Sequence, residues 1–224
     1  MAKVLISGGT GFVGYWLRKT QPSFVQAEYL SQWSYKHAGW GEENWDCIIH
    51  AAHIPPSQVL RVAKFNCAHM LYISSGAAYF QNTEYANNKR KWEQECLNSG
   101  ADVVIARLFT FYGERLDDGK AITQFIKAAR CGAPLRIWGD GNTVRSYMYG
   151  GDMARWLWTI LLRGQTGEIY DVGDDRPVTM LELSRMVNKA FGNKSQIVIE
   201  NKPEVMPYYM PHNMEKTKRL LNTI

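Results

Sequence analysis

Short apolar runs punctuate the chain, most of them closed by glycine, serine or proline. Lys3–Ser7 opens with Val4-Leu5-Ile6, Met70-Leu71-Tyr72-Ile73 stops at Ser74-Ser75-Gly76, and Ala101–Leu108 is an almost unbroken Val, Ile and Ala stretch. Runs of this kind, without polar alternation, predict strands buried on both faces, the parallel-sheet type. Phe24–Leu30 is read as a further strand, after Pro22 breaks the helix that precedes it. Helical character is read over 15–19, 57–64, 85–97, 122–130, 153–162 and 180–191. Gly132 with Pro134 ends the 122–130 helix and Gly192 the last one, while Thr179 starts the last and Asp152 caps the one before it. Trp156 and Trp158 are assigned to core packing. Neither repeats nor a linker divide the chain.

Composition sets the class. The sequence has 224 residues and 46% hydrophobic positions, enough for a sizeable core in one domain or two intertwined lobes. The net charge is +5, but basic residues are interspersed with acidic ones, so no stripe for nucleic acid is expected. Cys47, Cys67, Cys96 and Cys131 form no C-x-x-C pair and no zinc-like spacing with histidine. They are expected to be reduced thiols of a cytoplasmic protein. No apolar run approaches the roughly 18 residues of a membrane span, and the first residues run straight into a strand, so neither a membrane segment nor a signal peptide is expected.

The candidate chemistry begins at Gly8-Gly-Thr-Gly11-Phe-Val-Gly14, between the first strand and a helix. In such a turn the first glycine permits the bend, the second lets backbone approach a pyrophosphate, and the third lets helix pack against strand. A second group lies at Ser75, Tyr85 and Lys89. Four residues of helix put the phenol and the ammonium on one face. The cation would favour phenolate and bring a tyrosine down from its reference of about 10, and Ser75 at a strand end can hydrogen-bond the same substrate oxygen. His50 and His53 lack a carboxylate or cysteine to complete a metal site, so a core or cleft-edge place is expected for both and no metal.

Together these segments resemble the extended short-chain dehydrogenase/reductase family, the nucleotide-sugar epimerases and dehydratases. The glycine turn is similar to the family's T-G-x-x-G-x-x-G with Ser7 in place of threonine, and Asp46-Cys-Ile-Ile-His-Ala-Ala52 to its D-x-x-I-H-x-A-A strand. Arg107-Leu-Phe-Thr110-Phe-Tyr-Gly113 resembles R-L-x-N-V-Y-G, with Thr110 for a substrate-contacting asparagine. Gly139-Asp-Gly-Asn-Thr-Val-Arg145 resembles the segment whose arginine reaches the substrate diphosphate, although Ser146 departs from the usual aspartate. Residues 168–173 and 211–221 match further family segments.

The resemblance implies a Rossmann-type α/β fold, a doubly wound parallel sheet, with a small C-terminal α+β substrate-binding lobe. It implies a core over 1–111, joined by 146–173, and a lobe mostly within 112–224. NAD or NADP is implied at Gly8, Gly11, Phe12, Val13, Gly14, Ala51, Ala52, His53, Tyr85 and Lys89. Ser75, Tyr85 and Lys89 are implied as the catalytic set, and Thr110 and Arg145 as substrate-binding. The cofactor type stays open, because Glu28 lies early for a ribose contact, 31–34 reads Ser-Gln-Trp-Ser, and Lys36 is the nearest cation. The intervals between the second strand and Asp46, and between His53 and Met70, are short for the family. This predicts fewer sheet strands than usual and leaves a homodimer as an open expectation. Gly76-Ala77 stands where 4,6-dehydratases carry an Asp-Glu pair. The expected activity is therefore an epimerase or keto-sugar reductase on a nucleotide-activated sugar. The alternatives are a dehydratase and a non-catalytic dinucleotide-binding sensor or scaffold. Arg107 is assigned a structural pairing.

Overall fold

The computed structural model describes residues 1–31, 43–200 and 208–222. Six parallel strands form the main sheet in the order β10-β5-β4-β3-β1-β2. They are β1 (Ala2–Ser7), β2 (Val25–Leu30), β3 (Cys47–His50), β4 (His69–Ser75), β5 (Val103–Leu108) and β10 (Ile169–Val172). In register, Ser7 lies beside Leu30 on one flank and His50 on the other, and His50 beside Tyr72. The order reverses between β1 and β3, so a crevice opens outside the carboxyl ends of those two strands.

Burial explains why these runs are strands. Leu5, Ile48, Met70, Tyr72 and Ile105 are almost fully enclosed, and Trp45, Val59, Trp92 and Cys96 complete their cluster. A strand covered on both faces has no use for polar alternation. The helices of this layer are α1 (Phe12–Lys19), α2 (Ser57–Asn66), α3 (Ala77–Phe80) and α4 (Glu84–Leu97).

Two compact units emerge. The first comprises Met1–Phe109, Gly150–Val172 and Pro211–Ile224, and the second Thr110–Tyr149 and Gly173–Met210. In the second, α5 (Ala121–Arg130) and α7 (Met180–Ala190) close over Ile122, Phe125, Leu135, Ile137 and Leu183. The Thr179 hydroxyl and the Glu182 carboxylate make a reciprocal capping box at the start of α7, the helix expected to start at Thr179. Its three-stranded sheet runs β11-β8-β13, with β8 (Val144–Arg145) between β11 (Val178–Thr179) and β13 (Tyr208–Tyr209). Two strand pairs join β6 (Phe111–Tyr112) to β9 (Met148–Tyr149) and β7 (Leu135–Trp138) to β12 (Ile197–Glu200).

One boundary needs correction. Helix α6 (Gly150–Arg163) begins two residues before Asp152, which is therefore no cap. Asp152 sits in the first turn, favourable to the helix dipole, and its carboxylate pairs with Arg155. Gly150 lets this start lie against α1: a Cβ there would stand 2.3 Å from Trp16 Nε1. Trp158 is buried and donates from Nε1 to the Leu17 carbonyl at 3.3 Å, whereas Trp156 is half-buried. The tail helix α8 (Met214–Asn222) is held by Asp171 of β10, whose Oδ2 accepts from the His212 and Asn213 amides.

Candidate functional site

The glycine turn divides its labour by geometry. Gly8 has φ +79°, and a Cβ on it would come within 2.7 Å of the Ala52 amide nitrogen. Both facts require glycine. Gly14 lies so close to the turn that a Cβ would meet Gly9 Cα at 2.5 Å and the Gly8 carbonyl oxygen at 2.6 Å. Gly11 differs, because a Cβ there would meet only that carbonyl, at an ordinary 3.5 Å. It stands at the start of α1, which has no side-chain cap and no acidic residue in its first turn, so the first amides of the helix point where an anion is stabilised. Phe12 and Val13 begin that helix. Gly9 was not singled out from sequence, although a Cβ on it would meet Tyr29 Cβ at 2.7 Å. The Gly8-Gly9 doublet was the available signal.

At the end of β3, His50 is fully buried and takes the core place of the two expected for it. Its Nε2 faces the Ile54 carbonyl at 3.1 Å, so that nitrogen donates, and Nδ1 accepts from the Ser7 hydroxyl at 2.6 Å. Burial brings its pKa down to about 4, so the ring stays neutral. Ala51 and Ala52 follow, small and partly buried against Gly8, and His53 emerges beyond them to the surface.

The Tyr85 pair rises from α4. The Thr83 side chain accepts from the Ala86 amide at 3.2 Å and caps the helix, which sets Tyr85 in the first turn and Lys89 in the second. Tyr85 is 42% exposed and Lys89 only 5%. Lys89 Nζ donates to the Ile73 carbonyl at 2.9 Å and to the Tyr72 hydroxyl at 3.5 Å, and lies 5.9 Å from the centre of the Tyr85 ring. Burial lowers the Lys89 pKa to about 8, against the opposing pull of Glu93 and Cys96. Ser75 is buried at the last position of β4, where its Oγ accepts from the Ala77 amide at 3.2 Å.

Contacts run unbroken through this set. Gly8 abuts Ala51 and Ala52, the next residue is His53, and the His53 ring lies 5.0 Å from that of Tyr85. Lys89 then ties the Tyr85 helix to β4. Beneath it Glu93, 2% exposed, accepts from Arg107 Nε at 2.8 Å and Nη2 at 2.6 Å and from the Ser74 hydroxyl. Arg107 therefore has the structural pairing assigned to it. Glu93 was not picked out in advance; its signal was the four-residue step from Lys89.

In the second unit Thr110 lies two residues beyond β5, and its carbonyl accepts from the Met148 amide at 3.0 Å. Arg145 sits in β8, half-buried, 5.9 Å from the Tyr209 ring, with Nη1 donating to the Val144 carbonyl at 2.7 Å. The adjacent Ser146 is fully buried. Lys36 and 32–34, raised over the cofactor type, lie outside the described residues. Glu28 lies within β2. Among the described residues no cluster of His, Cys, Asp and Glu could hold a metal ion, and no helix is long and apolar enough to cross a membrane.

Comparison with known proteins places this architecture. The chain is 36% identical over 107 residues to a trifunctional UDP-glucose 4,6-dehydratase/3,5-epimerase/reductase of Arabidopsis thaliana, covering 46% of this chain and 16% of the relative. It is 30% identical over 125 residues to UDP-glucuronic acid decarboxylase 4 of the same plant, covering 55% of this chain and 28% of the relative. The chain thus spans well under half the length of these relatives. The fold matches dTDP-glucose 4,6-dehydratase of Bacillus anthracis, with TM-score 0.83, 18% identity and coverage of 99% and 91% of the two chains. It also matches UDP-glucuronic acid 4-epimerase of Bacillus cereus, with TM-score 0.82, 20% identity and coverage of 98% and 92%. A model of the NAD dependent epimerase/dehydratase family matches residues 36–173, more than half of the sequence. On that match, the chain belongs to the NAD-dependent epimerase/dehydratase family.

Proposed function

We infer that the protein is an NAD(P)-dependent epimerase or keto-sugar reductase acting on a nucleotide-activated sugar. The observation that carries this reading is the contact chain from Gly8 through Ala52 and His53 to Tyr85 and Lys89, which joins an anion-ready helix start to an acid/base pair. Both structural matches described above are to proteins solved with NAD, which supports a dinucleotide here. The residues fit such a group: Gly11 leaves the start of α1 uncovered, and Ala51 and Ala52 keep the neighbouring strand end low. A nicotinamide dinucleotide, when bound, supplies the redox chemistry.

The chain's own residues then have separable tasks. The α1 amides and Gly11 hold a pyrophosphate, and Lys89 offers its ammonium to a ribose hydroxyl. Tyr85 takes or returns the proton of a sugar hydroxyl, and Ser75 orients that oxygen. Arg145 takes the diphosphate of the substrate, a task suited to a planar guanidinium, with Thr110 beside the sugar. Gly76 and Ala77 offer no carboxylate for water elimination, which favours epimerase or reductase over dehydratase.

Denaturing the purified protein and identifying any released dinucleotide by mass spectrometry tests the reading, followed by thermal shifts with NAD(H) and NADP(H). Retained NAD favours an epimerase, whose cofactor is restored within each cycle. A loose preference for NADPH favours a reductase. Binding of neither would end the enzyme reading and leave a scaffold whose dinucleotide site is a relic.

A further inference from the structure

His53 is implied above only as a cofactor contact at the cleft edge, and no role toward Tyr85 has been given to it. Its imidazole lies 5.0 Å from the Tyr85 ring, tilted by 35°, and 5.3 Å from the Trp92 ring, edge-on at 64°. The phenol thus has an imidazole beside its ring and the Lys89 ammonium 5.9 Å from its ring centre. Lys89 is committed to Ile73 and Tyr72, and Glu93 to Arg107 and Ser74, so neither is free to move toward Tyr85. His53 is exposed, on a short segment pinned at one end by Ala52 against Gly8 and followed by Pro55 and Pro56. Aromatic pairs in this separation range hold one another in preferred orientations.

We propose that His53 is a positioning residue for Tyr85: its imidazole is the wall against which the phenol is held, and its charge state is felt by that phenol. The proposal rests on the reading of Tyr85 as the acid/base and adds a second titratable group to that site. Partial burial, and after it the Lys89 ammonium near the same ring, hold the His53 imidazole below its usual pKa. The site therefore works with a neutral ring at neutral pH. Protonating His53 places a second cation beside the phenol.

The test uses the ligand-free protein with tyrosine labelled at Cζ with carbon-13, the Tyr85 signal being the one lost in Tyr85→Phe. In the wild type this signal should show a step as pH falls below about 6.5, the ordinary histidine range. His53→Phe should remove the step and leave the signal otherwise in place, because the wall remains. His53→Ala should remove the step and move the signal toward that of free tyrosine. A step that persists in His53→Phe, or a signal unmoved in both variants, overturns the proposal. NADH titration adds the opposite arm: weaker binding in His53→Ala with an unmoved Tyr85 signal would make His53 only a cofactor contact. Since no ligand enters the first experiment, it stands or falls independently of the nucleotide-sugar reading.

Discussion

Arg107 reaches the buried carboxylate of Glu93 with two nitrogens, Nε at 2.8 Å and Nη2 at 2.6 Å, and so couples β5 to the helix that carries Tyr85 and Lys89. A guanidinium and a carboxylate paired edge to edge satisfy each other's hydrogen bonds away from water. Removing one partner leaves the other charge enclosed. Glu93→Ala should therefore lower stability by about 3–5 kcal/mol, read by denaturant unfolding. Replacing both residues with apolar ones of similar volume should recover much of that loss.

Lys89 makes stability depend on pH. Its folded pKa of about 8 lies below the unfolded value, so between the two the unfolded chain holds more protons. Stability then rises with pH across that window, and the cost of the enclosed ammonium is fully present below pH 8. Relative to Lys89→Met, the wild type should gain up to about 3 kcal/mol between pH 8 and 10.4, at 1.36 kcal/mol per pKa unit. Unfolding curves of the two proteins at pH 7, 8.5 and 10 would show the gap closing; a constant gap would refute the assignment.

Tyr85→Phe removes an exposed hydroxyl and keeps the ring against His53. Dinucleotide affinity and melting temperature should be nearly unchanged. Turnover of the sugar substrate should fall about 10²–10⁴-fold, the usual share of a general acid/base. Full activity in the variant would dismiss Tyr85 as that group.

Arg145→Ala separates the two ligands. Nucleotide-sugar binding should weaken about 10- to 150-fold, the value of hydrogen bonds to a charged partner, while NAD(H) binding holds. Calorimetric titrations that lost both ligands equally would remove the diphosphate role.

Much of the first unit was legible along the chain. A strand covered on both faces must be apolar throughout, which is why β1, β4 and β5 stand out as runs, and a turn that forces φ +79° must carry Gly8. The spacing of Tyr85 and Lys89 is likewise a local property, because four residues make one helical turn. Helix starts were less legible: Asp152 has the composition of a cap, and α6 nonetheless begins at Gly150, where the absent side chain admits Trp16.

What the sequence by itself determined is the local chemistry: which runs can be buried, where the backbone must bend, and which side chains share a helix face. Tertiary structure alone decided their partners. Glu93 and Arg107 are fourteen residues apart and pair because β5 lies beside β4. Gly9, in the turn after β1, must be small because Tyr29 of β2 fills the space. His50 and His53, three residues apart and equal in sequence, part company at a strand end: His50 goes neutral into the core, His53 out against Tyr85. Burial and partnership belong to neighbours distant along the chain, so composition and spacing contain no record of them.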